Sequence, residues 1–189
     1  MTQTGISRGQ AARERLITAA QELFWENGVA ATTPRQVLAR SGVGHGSLYH
    51  HFPTKRALAI AAIQRTSEQA LARALAVLNQ DRPARERLRA FLTRQRDALA
   101  GCRIGRLTAD PDVMADAEMR EPIRRYFTAL VEALATVIAE TGVPLTTATA
   151  RATTVAAVVQ GGYVLARAGG DAHALERATS GLMDLLEGD

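Results

Sequence analysis

The chain has 189 residues, 47% of them hydrophobic and only 4% aromatic, with a formal net charge of +4 at pH 7. This length is enough to bury a core and allows one or two domains. No run of about 18 apolar residues occurs and the N-terminus has no apolar signal core, so neither a membrane span nor secretion is expected. The single cysteine, Cys102, cannot form an internal disulfide, which fits a cytoplasmic protein.

The first predicted helix runs from Arg8 to about Asn27, after a segment, residues 1–7, that we expect to be disordered. Its apolar residues recur at spacings of three and four and therefore share one helical face. This face consists of Leu16, Ile17, Ala20, Leu23 and Phe24. Gly28 ends the helix, because glycine tolerates the left-handed conformation found after many helices.

Two short helices joined by a glycine-containing turn are predicted next. The first covers residues 34–40, where Thr33 can cap the free N–H groups and Gly42 follows the C-terminus. The second covers residues 44–52 and is stopped by Pro53. Its polar outer face consists of His45, Ser47, Tyr49 and His50. This arrangement is a helix-turn-helix pattern, whose second helix lies in the major groove of DNA.

The positive charge lies in the same part of the chain. Residues 1–58 contain seven basic and three acidic residues, a net of +4, so residues 59–189 carry none of the excess. Such a distribution suits attraction to the phosphates of a nucleic acid.

Helices over 54–78 and 84–99 are predicted to follow, separated by a break at Asp81-Arg82-Pro83. Thr54 can cap the first of them. One side of the second is strongly charged, and we expect that side to face water.

Residues 100–122 contain two glycines, two prolines and five acidic residues. For this stretch we predict a short helix around 104–108 and then a solvated loop. Pro122 would occupy the first turn of an amphipathic helix that ends near Gly142.

The last two predicted helices cover residues 146–168 and 171–187. The middle of the first is apolar on nearly every side, which indicates burial on several sides. Because a chain of this size has little core left to surround it, a partner subunit is the simplest explanation. Two such helices from each of two subunits would form a four-helix bundle. The predicted fold class is therefore all-α, with about nine helices.

The sequence GVGHGSLYHHFPTKRAL, residues 42–58, resembles the DNA-binding signature of the TetR family of bacterial transcriptional regulators. The resemblance implies an N-terminal three-helix domain over 1–53 and a ligand-binding and dimerisation domain over 54–189, linked by the helix from Thr54. It also implies a homodimer, formed through the two C-terminal helices, that binds a palindromic operator in double-stranded DNA as a repressor.

The resemblance further assigns roles to residues of the motif. It implies that His45 and Ser47 face base edges, while Tyr49 and Lys55 contact phosphates. Thr33 and Arg35 would lie at phosphates or at the groove edge, and His50 is a further candidate for base contact.

Regulators of this family commonly respond to a small molecule bound among the C-terminal helices. The candidate lining for an apolar or aromatic effector is Phe91, Cys102, Leu107, Met114, Tyr126, Phe127, Leu130 and Tyr163. Residues 101–105, GCRIG, resemble a segment of one subgroup of drug- and flavonoid-responsive repressors. Taken one at a time, each of these residues is better explained by ordinary core packing, and only the group as a whole supports an effector site. The alternative is therefore a regulator with a filled core, controlled by a protein partner or by its own abundance.

Other chemistry is poorly supported. Cys102 could be a redox sensor beside Arg103, although free cysteines are more often small buried residues. His45, His50 and His51 lack the accompanying ligands that a zinc site needs. No catalytic triad, phosphate loop or dinucleotide fingerprint occurs, so we expect neither an enzyme nor a cofactor.

Overall fold

This computed structural model describes residues 8–187, which contain ten α-helices and no β-strand. The all-α prediction is therefore confirmed, whereas the expected disorder of residues 1–7 lies outside the described residues. The helices are α1 (Arg8–Asn27), α2 (Pro34–Ser41), α3 (His45–His51), α4 (Lys55–Leu78), α5 (Ala84–Thr93), α6 (Arg103–Leu107), α7 (Pro111–Ala115), α8 (Ala117–Ala139), α9 (Leu145–Gly169) and α10 (His173–Glu187). Within residues 8–187, no helix combines the length and apolarity needed to cross a membrane.

The described residues form two compact units. The N-terminal unit contains residues 8–67 and 106–123, and the C-terminal unit contains residues 68–105 and 124–187. Segment 106–123 thus packs with the helix-turn-helix although it is distant in sequence. Whether the functional domains divide at 53/54 stays a prediction.

The core of the N-terminal unit is formed by α1 packing against α2 and α3. Phe24 of α1, Val37 of α2 and Leu48 of α3 are each at most 4% exposed and line one small void together with Phe52. That void measures only about 10 Å³, so these side chains fill the space between the three helices. The apolar face predicted for the first helix is also buried, which confirms that prediction.

Helices α9 and α10 pack closely in the C-terminal unit. A Cβ atom added to Gly162 would come within 2.6 Å of Leu175 Cδ1 and 3.1 Å of Leu175 Cα. The close approach of these helices therefore depends on Gly162, whereas a Cβ atom on Gly161 would meet nothing within 4 Å.

Helix α5 is shorter than predicted, because it ends at Thr93 rather than near Leu99. Arg94 leaves the helical conformation with φ −54° and ψ 143°. The expectation that the charged side faces water is wrong for Arg94 and Arg96, whose guanidinium carbons lie 4.6 and 5.4 Å from the centre of the buried Phe91 ring.

Two predictions for residues 100–122 are also wrong. A short helix, α7, replaces the predicted loop, and it begins after an N-cap at Asp110. Pro122 lies inside α8, which begins five residues earlier at Ala117. Asp116 accepts hydrogen bonds from the backbone N–H groups of Glu118 and Met119, and this capping starts the helix ahead of the proline.

Candidate functional site

Helix α2 begins with a complete capping box. The Thr33 hydroxyl accepts a hydrogen bond from the Gln36 backbone N–H at 3.3 Å. The Gln36 side-chain oxygen accepts in return from the Thr33 backbone N–H at 2.7 Å and from its hydroxyl at 2.8 Å. This exchange fixes the start of α2 and leaves the side chain of neighbouring Arg35 exposed.

The turn between α2 and α3 depends on glycine. Gly42 has φ 64° and ψ 20°, and its N–H donates to the Leu38 carbonyl. Gly44 precedes α3 in an extended conformation, and a Cβ atom added at Gly44 or at Gly46 would meet nothing within 4 Å. The start of α3 is therefore open to a bulky partner.

Helix α3 has one buried and one exposed face. Leu48 is 3% exposed and packs inward, while Tyr49 is 43% exposed. His45 and His50 are exposed and Ser47 is half-buried. The His45 and Tyr49 rings are 4.7 Å apart, so the structure brings these two predicted DNA-contacting residues together.

Lys55 lies at the start of α4, and its ammonium donates to the Ala30 carbonyl at 3.0 Å. That carbonyl belongs to the loop between α1 and α2. A lysine ammonium has three donors, so Lys55 can hold the loop and still contact a phosphate.

Segment 106–123 contributes residues that sequence reasoning missed. Asp110 is 8% exposed, and its Oδ2 accepts from the backbone N–H groups of Val29 at 2.6 Å and Ala30 at 3.3 Å. Its Oδ1 caps α7 through the N–H groups of Asp112 and Val113, at 3.1 and 3.2 Å. The prediction that the acidic cluster is merely a solvated turn is therefore wrong. The Asp110-Pro111 pair, a typical start of a helix, was the available signal.

A second group of contacts within the N-terminal unit connects α4 to segment 106–123. Arg56 Nε and Nη2 donate to the two oxygens of Asp116 at 2.5 and 3.0 Å. The Arg56 Nη2 atom also lies 3.0 Å from a carboxylate oxygen of Glu118. The Arg56 contact lowers the pKa of the Asp116 carboxyl. Loop 28–33 and the start of α4 are thus both bound to segment 106–123.

The candidate effector lining is divided between the two units. Leu107 and Met114 belong to the N-terminal unit, and the other six belong to the C-terminal unit. Those six are Phe91, Cys102, Tyr126, Phe127, Leu130 and Tyr163. Phe91, Tyr126 and Leu130 are buried, whereas Cys102, Phe127 and Tyr163 are partly exposed.

Cys102 is therefore less buried than expected. Its sulfur accepts weak contacts from the Gly105 backbone N–H at 3.3 Å and from Gln160 Nε2 at 3.5 Å.

Two arginines beside this lining were not predicted. Burial, followed by the charge of Arg94, lowers the pKa of Arg96 to about 10, which still leaves it protonated at neutral pH. Burial also lowers the pKa of Arg94 and raises that of Tyr126 to about 12. The candidate effector region thus combines aromatic rings with two cations.

A separate cavity of about 170 Å³ lies in the C-terminal unit. It is lined by Arg85, Leu88, Ile138, Thr141, Val143, Arg151, Met183 and Leu186, a set that shares no residue with the predicted lining. Its volume is below the roughly 300–1,000 Å³ of typical small-molecule pockets. No group of three potential metal ligands occurs within residues 8–187.

Comparisons with known proteins give a consistent result. A family model described as bacterial regulatory proteins of the tetR family matches residues 16–62. A second, described as the C-terminal domain of LmrA/YxaF-like transcriptional regulators, matches residues 84–180, which is just over half of the chain.

Individual relatives agree with these matches. The transcriptional regulator LmrA of Bacillus subtilis is 26% identical, covering 93% of this chain and 96% of its own length. The regulator UidR of Escherichia coli is 39% identical over 67 residues, but this match covers only 34% of its length. A TetR-family regulator of Cytophaga hutchinsonii has the same fold, with a TM-score of 0.84, 23% identity and 98% coverage of both chains.

Proposed function

Because this chain belongs to the TetR family of bacterial transcriptional regulators, we propose that it acts as a homodimeric repressor of a palindromic operator, released by a small effector. Its membership also confirms that the chain is a helix-turn-helix, DNA-binding protein and no enzyme. We further propose that it acts in the cytoplasm, where bacterial DNA is found.

The observation that carries the proposal is the exposed polar face of α3 above a filled core. His45, Tyr49 and His50 stand free of the core, while Leu48 and Phe52 anchor the helix beneath them. In the proposed complex α3 enters the major groove. His45 and Ser47 contact base edges, with His50 and Arg35 as further candidates. Tyr49, Lys55 and Thr33 contact phosphates and fix the register.

The proposed dimer uses residues 146–168 and 171–187. Large apolar side chains stay exposed on these two helices: Val164 is 65% exposed, Leu165 60% and Leu185 72%. A second copy of the chain would remove them from water. In such a dimer, two copies of α3 would occupy successive major grooves about 34–36 Å apart.

Effector release would follow from binding that differs between two states of the dimer, of which only one fits the operator. An effector bound by the proposed lining in the C-terminal unit is supported by the partly exposed Tyr163 and Phe127 side chains. A regulator without an effector is the second candidate. The cavity at Arg85, about 170 Å³, is smaller than typical small-molecule pockets and does not by itself indicate an effector.

The test is selection from a random double-stranded DNA pool with the purified full chain at moderate salt, followed by sequencing. We expect an inverted repeat with half-sites about one helical turn apart. Failure of a folded, dimeric protein to enrich any sequence would contradict operator binding. A matched control is the His45→Ala, Tyr49→Ala double variant, which removes two exposed side chains of α3 and leaves the buried Leu48 in place.

A further inference from the structure

A single carboxylate binds the first part of loop 28–33, which connects α1 to α2. Asp110 Oδ2 accepts from the backbone N–H groups of Val29 at 2.6 Å and Ala30 at 3.3 Å. Because Asp110 is only 8% exposed, these N–H groups replace water that its carboxylate loses on burial. The position of Ala30 therefore depends on a residue that is 80 positions away in the sequence.

Ala30 in turn binds Lys55, a proposed phosphate contact. The Lys55 ammonium donates to the Ala30 carbonyl at 3.0 Å. Ala30 thus connects Asp110, at its N–H, to Lys55, at its carbonyl. Within residues 8–187 no carboxylate pairs with Lys55, so the carbonyl places the ammonium without neutralising its charge.

Arg56, the next residue along α4, differs from Lys55 in its partners. Its guanidinium donates to both oxygens of Asp116, at 2.5 and 3.0 Å. That ion pair compensates the positive charge of Arg56 and attaches the start of α4 to segment 106–123. The same segment therefore binds both the helix that carries Lys55 and the loop whose carbonyl the Lys55 ammonium contacts.

This arrangement affects DNA binding because a lysine side chain is flexible. A free lysine side chain loses rotamer freedom when its ammonium binds a phosphate. An ammonium that is already held near its contact position loses less freedom, so it binds more tightly. Removal of the Asp110 carboxylate would release Ala30, and with it the acceptor that holds Lys55.

We propose that Asp110 is a positioning residue for DNA binding, which holds the Lys55 ammonium in place through Ala30. This proposal rests on the proposed function, which assigns a phosphate contact to Lys55. It adds segment 106–123 to the part of the chain on which DNA binding depends, although this segment lies beyond the predicted domain boundary at residue 53.

The expected effect of removing Asp110 is opposite to the effect of its charge. Loss of a carboxylate makes a DNA-binding protein more positive, and this change favours DNA binding. Asp110→Ala should nevertheless weaken DNA binding. Asp112→Ala is the matched control, because it removes the same charge two residues away from an exposed side chain. The affinity of Asp112→Ala should be unchanged or slightly higher.

The first experiment measures the DNA affinity of the full chain at several salt concentrations. It uses the duplex enriched from the random pool and a random-sequence duplex of equal length, and stoichiometric titration gives the active fraction of each variant. One phosphate contact contributes about 0.9 to the slope of log affinity against log salt concentration, or about eightfold in affinity at ~0.1 M salt. We expect Asp110→Ala to bind about threefold to eightfold more weakly, with a slope lower by about 0.5–1. Adding Asp110→Ala to Lys55→Ala should cause no further loss, because both changes remove the same contact.

The second experiment observes Lys55 without DNA. Lys55 is the only lysine in the chain, so isotopically labelled lysine gives one set of side-chain NMR signals. Relaxation of the Cε signal should show greater mobility in Asp110→Ala than in the unsubstituted protein, and no such increase in Asp112→Ala. Asp110→Asn, which keeps one acceptor oxygen, should give an intermediate result, and it replaces Asp110→Ala if that variant does not fold.

Three results would overturn the proposal. These are equal affinity and slope in Asp110→Ala and Asp112→Ala, additive losses from Asp110→Ala and Lys55→Ala, and equal mobility of the Lys55 signal with and without Asp110. The proposed function fails separately, when a folded protein enriches no sequence from the pool. In that case the random-sequence duplex and the NMR measurement still decide whether Asp110 positions Lys55.

Discussion

Asp110 joins two distant parts of the N-terminal unit, and its removal is the most informative stability test. Its carboxylate accepts four backbone N–H groups, two from loop 28–33 and two from the first turn of α7. Asp110→Ala removes both acceptor oxygens, and with them all four hydrogen bonds, and leaves the N–H of Val29, a residue only 2% exposed, without a partner.

The expected loss follows from these contacts. A hydrogen bond to a charged group contributes about 1.5–3 kcal/mol, and the Val29 bond at 2.6 Å is the strongest candidate. Losing an N-cap costs a further ~1 kcal/mol. We therefore expect Asp110→Ala to destabilise the N-terminal unit by about 3 kcal/mol.

The assay is hydrogen exchange of the amides in residues 28–32, followed by mass spectrometry, with urea unfolding as a second measure. A loss of about 3 kcal/mol corresponds to about a hundredfold faster exchange where opening is at equilibrium. Asp112→Ala is the matched control, because Asp112 is exposed on the same short helix. Asp110→Asn should fall between the two, since it keeps one acceptor oxygen. Equal exchange in Asp110→Ala and Asp112→Ala would refute the reasoning.

Three further predictions concern single side chains. Lys55→Ala should weaken binding to all DNA sequences and reduce the slope of log affinity against log salt concentration by about 1. Arg82→Ala, which removes a positive charge from the C-terminal unit, is the control. Unchanged affinity and slope in Lys55→Ala would show that Lys55 does not contact a phosphate. His45→Ala should relax selection at particular base pairs by about 1–3 kcal/mol, and a preserved sequence profile after selection from the random pool would exclude base contact. Burial raises the pKa of Tyr126 to about 12, so its contribution to stability is complete below pH about 10 and is lost as the pH rises towards 12. In an alkaline titration followed by phenolate absorbance, Tyr126→Phe should accordingly lose the part of the rise that occurs at the highest pH, with helicity measured in parallel. Identical titration curves for Tyr126→Phe and the unsubstituted protein would contradict this burial effect.

Several elements could be predicted because their signals are local. Thr33 and Gly42 set the ends of α2 through contacts within four residues, and Gly28 has the positive φ expected after α1. The polar face of α3 follows from helical spacing alone, which explains why the exposure of His45, Tyr49 and His50 was predicted correctly, although Ser47 is half-buried. The DNA-contacting roles of these residues stay predictions that the selection experiments test.

The sequence by itself determined the helices whose caps and apolar spacing lie within a few residues, and with them the helix-turn-helix. Only the tertiary structure decided the role of Asp110, whose partners at Val29 and Ala30 are 81 and 80 residues away. The tertiary structure likewise decided that α5 ends at Thr93. Helical spacing alone places the charges of Arg94 and Arg96 in water, but in the structure both side chains fold back onto Phe91. Local patterns specify where a helix begins and ends and which of its faces is apolar. The partner of a buried charge depends on which distant backbone groups the fold brings near it.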